Sequence, residues 1–63
     1  MTPTLHVVAR ITARPETVAD VHALLQGLLE PTRQESGCLR YILLHNSADS
    51  TDFTFVEEWA NAA

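Results

Sequence analysis

Trp59, Glu57 and His45 are the side chains of this sequence best suited to chemistry on a small molecule. A tryptophan can wall a pocket and stack on a flat aromatic ring. Its indole N–H can donate to an oxygen on which negative charge develops. Trp59 fits a packing role equally, as the large anchor that ends a strand. Glu57 lies two residues before Trp59, so in a strand both share a face with Phe53 and Phe55. A carboxylate on an apolar face either pairs with a cation, Arg10 on a neighbouring strand being the candidate, or has a raised pKa and acts as a base. His45 is a candidate general base near neutral pH, or a turn histidine in solvent. Tyr41, Arg10, Asn46 and Phe55 form the candidate substrate-binding set. Tyr41 serves either the core or a ligand hydrogen bond, and Asn46 either a ligand carbonyl or its own turn.

Other chemistries lack their residues. His6, His22, His45 and Cys38 are never at ligand spacing on one element, so no metal site is expected. With glycine only at positions 27 and 37, there is no phosphate-cradling loop. Cys38 reads as a small buried thiol, and no motif supports Ser/His/Asp hydrolysis.

The elements that must hold these residues are legible from periodicity. Leu5, Val7, Ala9 and Ile11 alternate with His6, Val8, Arg10 and Thr12, which predicts a first strand over residues 5–12. Thr17 and Asp20 have capping-box spacing. Val18, Val21, Leu24, Leu25, Leu28 and Leu29 then recur at helical spacing as one buried stripe, with His22 and Gln26 facing solvent. Pro31 cannot donate to the Gly27 carbonyl, which predicts a kink or break between them and a last turn over 32–36, closed by Gly37. Residues 38–45 predict a second strand, with Leu39, Tyr41 and Leu43 on one face and Arg40, Ile42 and Leu44 on the other. Both faces are apolar, so both are expected to be covered. A polar turn over 46–52 leads to a third strand over 53–59, and Asn61 is a candidate cap for a further helix. The order β-α-β-β is the beginning of a ferredoxin-like β-α-β-β-α-β plan, in which strands 1 and 3 are neighbours.

At 63 residues the chain is one domain at most. A chain this short buries about 60% of its unfolded surface, so association or further chain is expected to stabilise it. Its net charge of −4, with four Arg and no Lys, disfavours nucleic acid and anionic membranes as partners. The N-terminus lacks the pattern of a signal peptide, and no run of residues has membrane-spanning length. With one cysteine, the expectation is a cytoplasmic protein.

Pro31 to Arg33, Glu35 to Tyr41 and Phe55 to Trp59 together resemble the antibiotic biosynthesis monooxygenase family, and Val8 to Ala13 followed by Pro15 is similar to its first strand. The resemblance implies an α+β, ferredoxin-like fold of the dimeric α/β barrel superfamily. The family domain has one more helix and strand, so residues 1–63 are expected to be a partial domain, truncated after strand 3. Members similar to this chain oxidise phenolic substrates such as quinols or anthrones with molecular oxygen and use no cofactor. The implied partners are therefore a small aromatic substrate, O2 and a second copy of the chain. Related proteins place a Trp matching Trp59 beside their ligand. Haem-degrading relatives add an Asn on the first strand, where this sequence has Ala9. Two other readings remain open: a non-catalytic dimeric binding or assembly module, and an isomerase on the same scaffold.

Overall fold

The computed structural model describes residues 4–60. Strand β1 (Leu5–Thr12) leads through a 3-10 turn (Pro15–Thr17) into helices α1 (Val18–Gly27) and α2 (Leu29–Arg33), followed by strands β2 (Cys38–His45) and β3 (Asp52–Trp59). The three strands form one sheet in the order β1-β3-β2, with β3 antiparallel to both neighbours. The α+β class, the bounds of the first two strands and the adjacency of strands 1 and 3 are as the sequence implies, and the third strand begins one residue earlier than expected, at Asp52. Sheet edges lie at β1 and β2, and β3 is central. The Asn61 cap falls outside the described residues.

The helical segment breaks at Leu28, three residues before Pro31. Pro31 thereby falls in the first turn of α2, where a missing N–H costs nothing. For that reason α2 is Leu29–Arg33 and not the later turn expected over 32–36. Gly37 adopts φ +90, the left-handed conformation that suits glycine, and its carbonyl accepts from Ala60 N–H at 2.7 Å. The capping box does not form. Thr17 ends the 3-10 turn, and its hydroxyl donates back to the Arg14 carbonyl at 3.0 Å.

Opposed residues in the register fix the two faces of the sheet. Ile11, Phe53 and His45 align across it, as do Ala9, Phe55 and Leu43, then Val7, Glu57 and Tyr41. This face carries the core of Ala13, Leu25, Tyr41, Phe53 and Phe55, with Val18, Val21 and Leu29 packed from the helices. Leu24 and Leu28, expected in the buried stripe, are 70% and 43% exposed. The contact face is narrower than the apolar stripe and centres on Leu25. A bulge between Cys38 and Arg40 turns Leu39 outward, so Cys38 takes the place on the inner face expected for Leu39. The opposite face carries the row Val8, Val56 and Ile42, flanked by the Arg40–Glu58 ion pair at 3.0 Å. Val8 there is 68% exposed. Among the described residues no helix is long and apolar enough to cross a membrane.

Candidate functional site

Glu57 and Trp59 are two residues apart on the central strand, so their side chains emerge on the same, helix-facing side. The Trp59 indole N–H donates to Glu57 Oε1 at 2.9 Å. Tyr41 lies directly across from Glu57 on β2, and Cys38 lies across from Trp59. The Tyr41 ring stacks on Phe55, with centroids 4.7 Å apart. Both of those rings are buried, whereas Glu57 and Trp59 are half-buried. Carboxylate, indole and phenol therefore converge on one patch, floored by Phe55, at the C-terminal end of β3.

The patch is held from α2. Arg33 reaches over β2 and donates from both Nε and Nη2 to the Tyr41 carbonyl, at 3.0 and 2.9 Å. That fork fixes the strand under the patch and leaves the guanidinium engaged away from Glu57. Burial pushes the Tyr41 phenol above its ordinary pKa. A hydrogen bond with Thr32 opposes the rise, and the Glu57 charge adds to it. Tyr41 is thus a neutral donor at physiological pH.

His45, Asn46 and Arg10 lie elsewhere. His45 pairs with Phe53, and from Phe53 to Trp59 the strand runs about 20 Å. Its Nε2 lies 2.8 Å from the Ser50 carbonyl, and its ring stacks on Phe53 at 4.2 Å. Asn46 shapes its own turn, accepting from Ala48 N–H at 2.8 Å and donating to Asp52 Oδ2 at 3.1 Å. Arg10 is on the opposite face of the sheet and pairs with Asp52 at 3.1 Å. The expected Arg10–Glu57 pair is thus corrected: β1 side chains alternate, and Val7, not Arg10, shares the face of Glu57. Hydrogen bonds from Asn46 and then Arg10 hold the Asp52 carboxyl below its ordinary value, and Thr51 does the same for Asp49.

Sequence reasoning missed two contributors. His22, expected in solvent, stacks on Phe53 at 5.7 Å and lies 5.1 Å from the His45 ring. Its place four residues after Val18 and three before Leu25 puts it on the buried side of α1, and that spacing was the available signal. Arg33 gave no local signal, because its partner is a backbone carbonyl on another element. Among the described residues no group of three metal-ligating side chains comes together and no cavity is enclosed.

Comparison with known proteins places these residues in context. The family described as antibiotic biosynthesis monooxygenase matches residues 4–63. The chain is 37% identical over 59 residues to the "Putative monooxygenase Rv0793" of Mycobacterium tuberculosis, covering 94% of this chain and 57% of that protein. It superposes on the crystal structure of PA3566 from Pseudomonas aeruginosa with a TM-score of 0.87 and 36% identity, over 97% of this chain and 61% of that one. A crystal structure of an antibiotic biosynthesis monooxygenase aligns with a TM-score of 0.83 and 39% identity, over 89% and 59% of the two chains. The chain spans 39% and 57% of the lengths of two curated relatives that it matches.

Proposed function

The chain belongs to the antibiotic biosynthesis monooxygenase family, and from that premise we propose that it serves a cofactor-independent monooxygenase that oxidises a quinol- or anthrone-like aromatic with molecular oxygen. The observation that carries this reading is the convergence of Trp59, Glu57 and Tyr41 over Phe55 on one side of the sheet. The substrate ring stacks on the Trp59 indole. Glu57 takes the proton of a substrate hydroxyl, and the resulting anion is the electron donor to O2. Tyr41, kept neutral by burial, donates a hydrogen bond to a substrate oxygen. This chemistry asks of the protein only a dry aromatic wall, a proton acceptor and donors for the anion. His45, Asn46 and Arg10 have no part in the proposed reaction, because they are held at the other end or the other face of the sheet.

The apolar row Val8, Val56 and Ile42, in which Val8 is exposed and the other two are half-buried, supports a homodimer in which two sheets pack through these faces. The same row supports a second reading, a non-catalytic module that uses the sheet only to assemble. Oxygen consumption with a hydroquinone separates the two. The enzyme reading expects turnover that chelators leave unchanged and that Trp59→Phe greatly reduces. Ligand binding without oxygen uptake would favour the module. A free thiol at Cys38 suits the reducing cytoplasm as the site of action.

A further inference from the structure

An indole has a single N–H, and that of Trp59 is already committed to Glu57 Oε1 at 2.9 Å. It cannot donate to a substrate oxygen while this bond lasts. We infer that Glu57 and Trp59 form one proton-coupled unit: the ionised carboxylate holds the indole N–H, and on taking the substrate's proton it releases that N–H to the oxygen just deprotonated. This rests on the oxygenase reading above.

The surroundings of Glu57 favour such a unit. Arg10 and Arg40 are paired on the other face, and Arg33 is forked onto the Tyr41 carbonyl. Among the described residues the indole of Trp59 is the side chain that donates to this carboxylate. Facing it on β2 are Tyr41 and Cys38, and Glu35 stands in the turn that follows α2. On β1 the residues of this face are Leu5, Val7, Ala9 and Ile11, none of which titrates. Tyr41 is neutral and does not compete as the base.

A hydrogen bond to an ionised acceptor is about twice as strong as one to a neutral acceptor. When the substrate O–H bond breaks, its electron pair stays on the substrate oxygen and its proton forms an O–H bond on Glu57 Oε2. The charge leaves the carboxyl and appears on the substrate, and the N–H follows the charge. Glu57 is then both the proton acceptor and the positioning residue that keeps the indole in register with the patch. The Trp59 N–H becomes an oxyanion donor only after proton transfer.

Trp59 is the single tryptophan, so emission excited beyond tyrosine absorption reports the surroundings of this one indole, and the Glu57 variants isolate the contact. Emission is followed without substrate from neutral pH through the acid range in which carboxylates protonate, with circular dichroism on the same samples. The expected result is a shift in wild-type emission that is absent in Glu57→Gln and retained in Glu35→Gln. Glu57→Leu, which cannot hold the N–H, should emit at neutral pH as acidified wild type does. Oxygen uptake with a hydroquinone should fall about 100-fold or more in Glu57→Gln, with KM little changed. Flat wild-type emission while the fold persists, or the same shift in Glu57→Gln, overturns the unit and leaves the oxygenase reading standing. No oxygen uptake by wild type, with the emission shift intact, overturns the oxygenase reading instead.

Discussion

The helix-facing side of β3 carries two aromatic clusters, one at each end, and they are built differently. At the Phe53 end, the rings of His22, His45 and Phe53 lie 4.2 to 5.7 Å apart, and Phe53 is fully buried. Its histidines are spent on ring contacts and on the Ser50 carbonyl. At the Trp59 end, the ring stack of Tyr41 on Phe55 is just as close, but a carboxylate and an indole stand half-buried above it. One end packs its polar rings against a fully buried phenylalanine. The other combines a carboxylate, a neutral phenol and an indole whose hydrogen bond is to a charged group, which is a combination suited to moving a proton. What separates the ends is the polar groups that stand beside the rings: two imidazoles at one, a carboxylate bonded to an indole at the other.

Variants at the two ends should therefore fail in different ways. The largest effect is expected at Phe53. Phe53→Ala removes a fully buried ring and should cost about 3–5 kcal/mol. That is comparable with the whole stability of a small domain, and urea denaturation would register it as loss of a cooperative transition. Trp59→Phe should leave the urea midpoint nearly unchanged while hydroquinone-dependent oxygen uptake falls about 100-fold or more. If both variants lose stability and activity in parallel, the contrast between the ends is wrong. His22→Ala and His45→Ala should each cost about 1 kcal/mol in denaturant titration, with little change in turnover per folded molecule. A double-mutant cycle should show them coupled through Phe53.

The smallest effects are expected from pH, and they have opposite signs at the two ends. Asp49, in the turn beside the Phe53 end, and Asp52, the first residue of β3, have lowered values in the folded state. Their contribution is present above the ordinary carboxylate value and is lost as pH falls through the lowered one. Tyr41, at the Trp59 end, is raised. Its contribution is complete below the ordinary phenol value and is lost as pH rises through the raised one. Asp52→Asn should flatten the acid limb of a stability–pH curve, and Tyr41→Phe should flatten the alkaline limb. Thermal melts across pH check both.

The strands were legible because alternation is local. Residues 5–12, 38–45 and 53–59 announce themselves by composition and period, and β3 adds only Asp52 to them. The break between Gly27 and Pro31 was legible because a missing N–H has one geometric consequence, although Pro31 starts α2 where a later turn was expected. Of the candidate site, Trp59, Glu57, Tyr41 and Phe55 could be placed together, because strand parity gives Glu57 and Trp59 one face and β2 lies beside β3. The errors came from features set by tertiary contact. The bulge at Cys38–Arg40 moved Leu39 outward, with nothing in the local sequence but the preceding Gly37 to hint at it. His22 entered the core edge although its polarity argued for solvent. Leu24 and Leu28 lie outside the helix–sheet contact although their spacing argued for burial. Arg10 is a candidate partner of Glu57 by charge, yet alternation along β1 puts the two on opposite faces.

The most direct test of the account is oxygen consumption with a hydroquinone, measured side by side for the wild type, Trp59→Phe and His45→Ala, each normalised to folded protein. Chemistry at the Trp59 end predicts turnover in the wild type, nearly full turnover in His45→Ala and little in Trp59→Phe. Turnover that survives in Trp59→Phe and disappears in His45→Ala would move the reaction to the opposite end of the sheet and contradict the account.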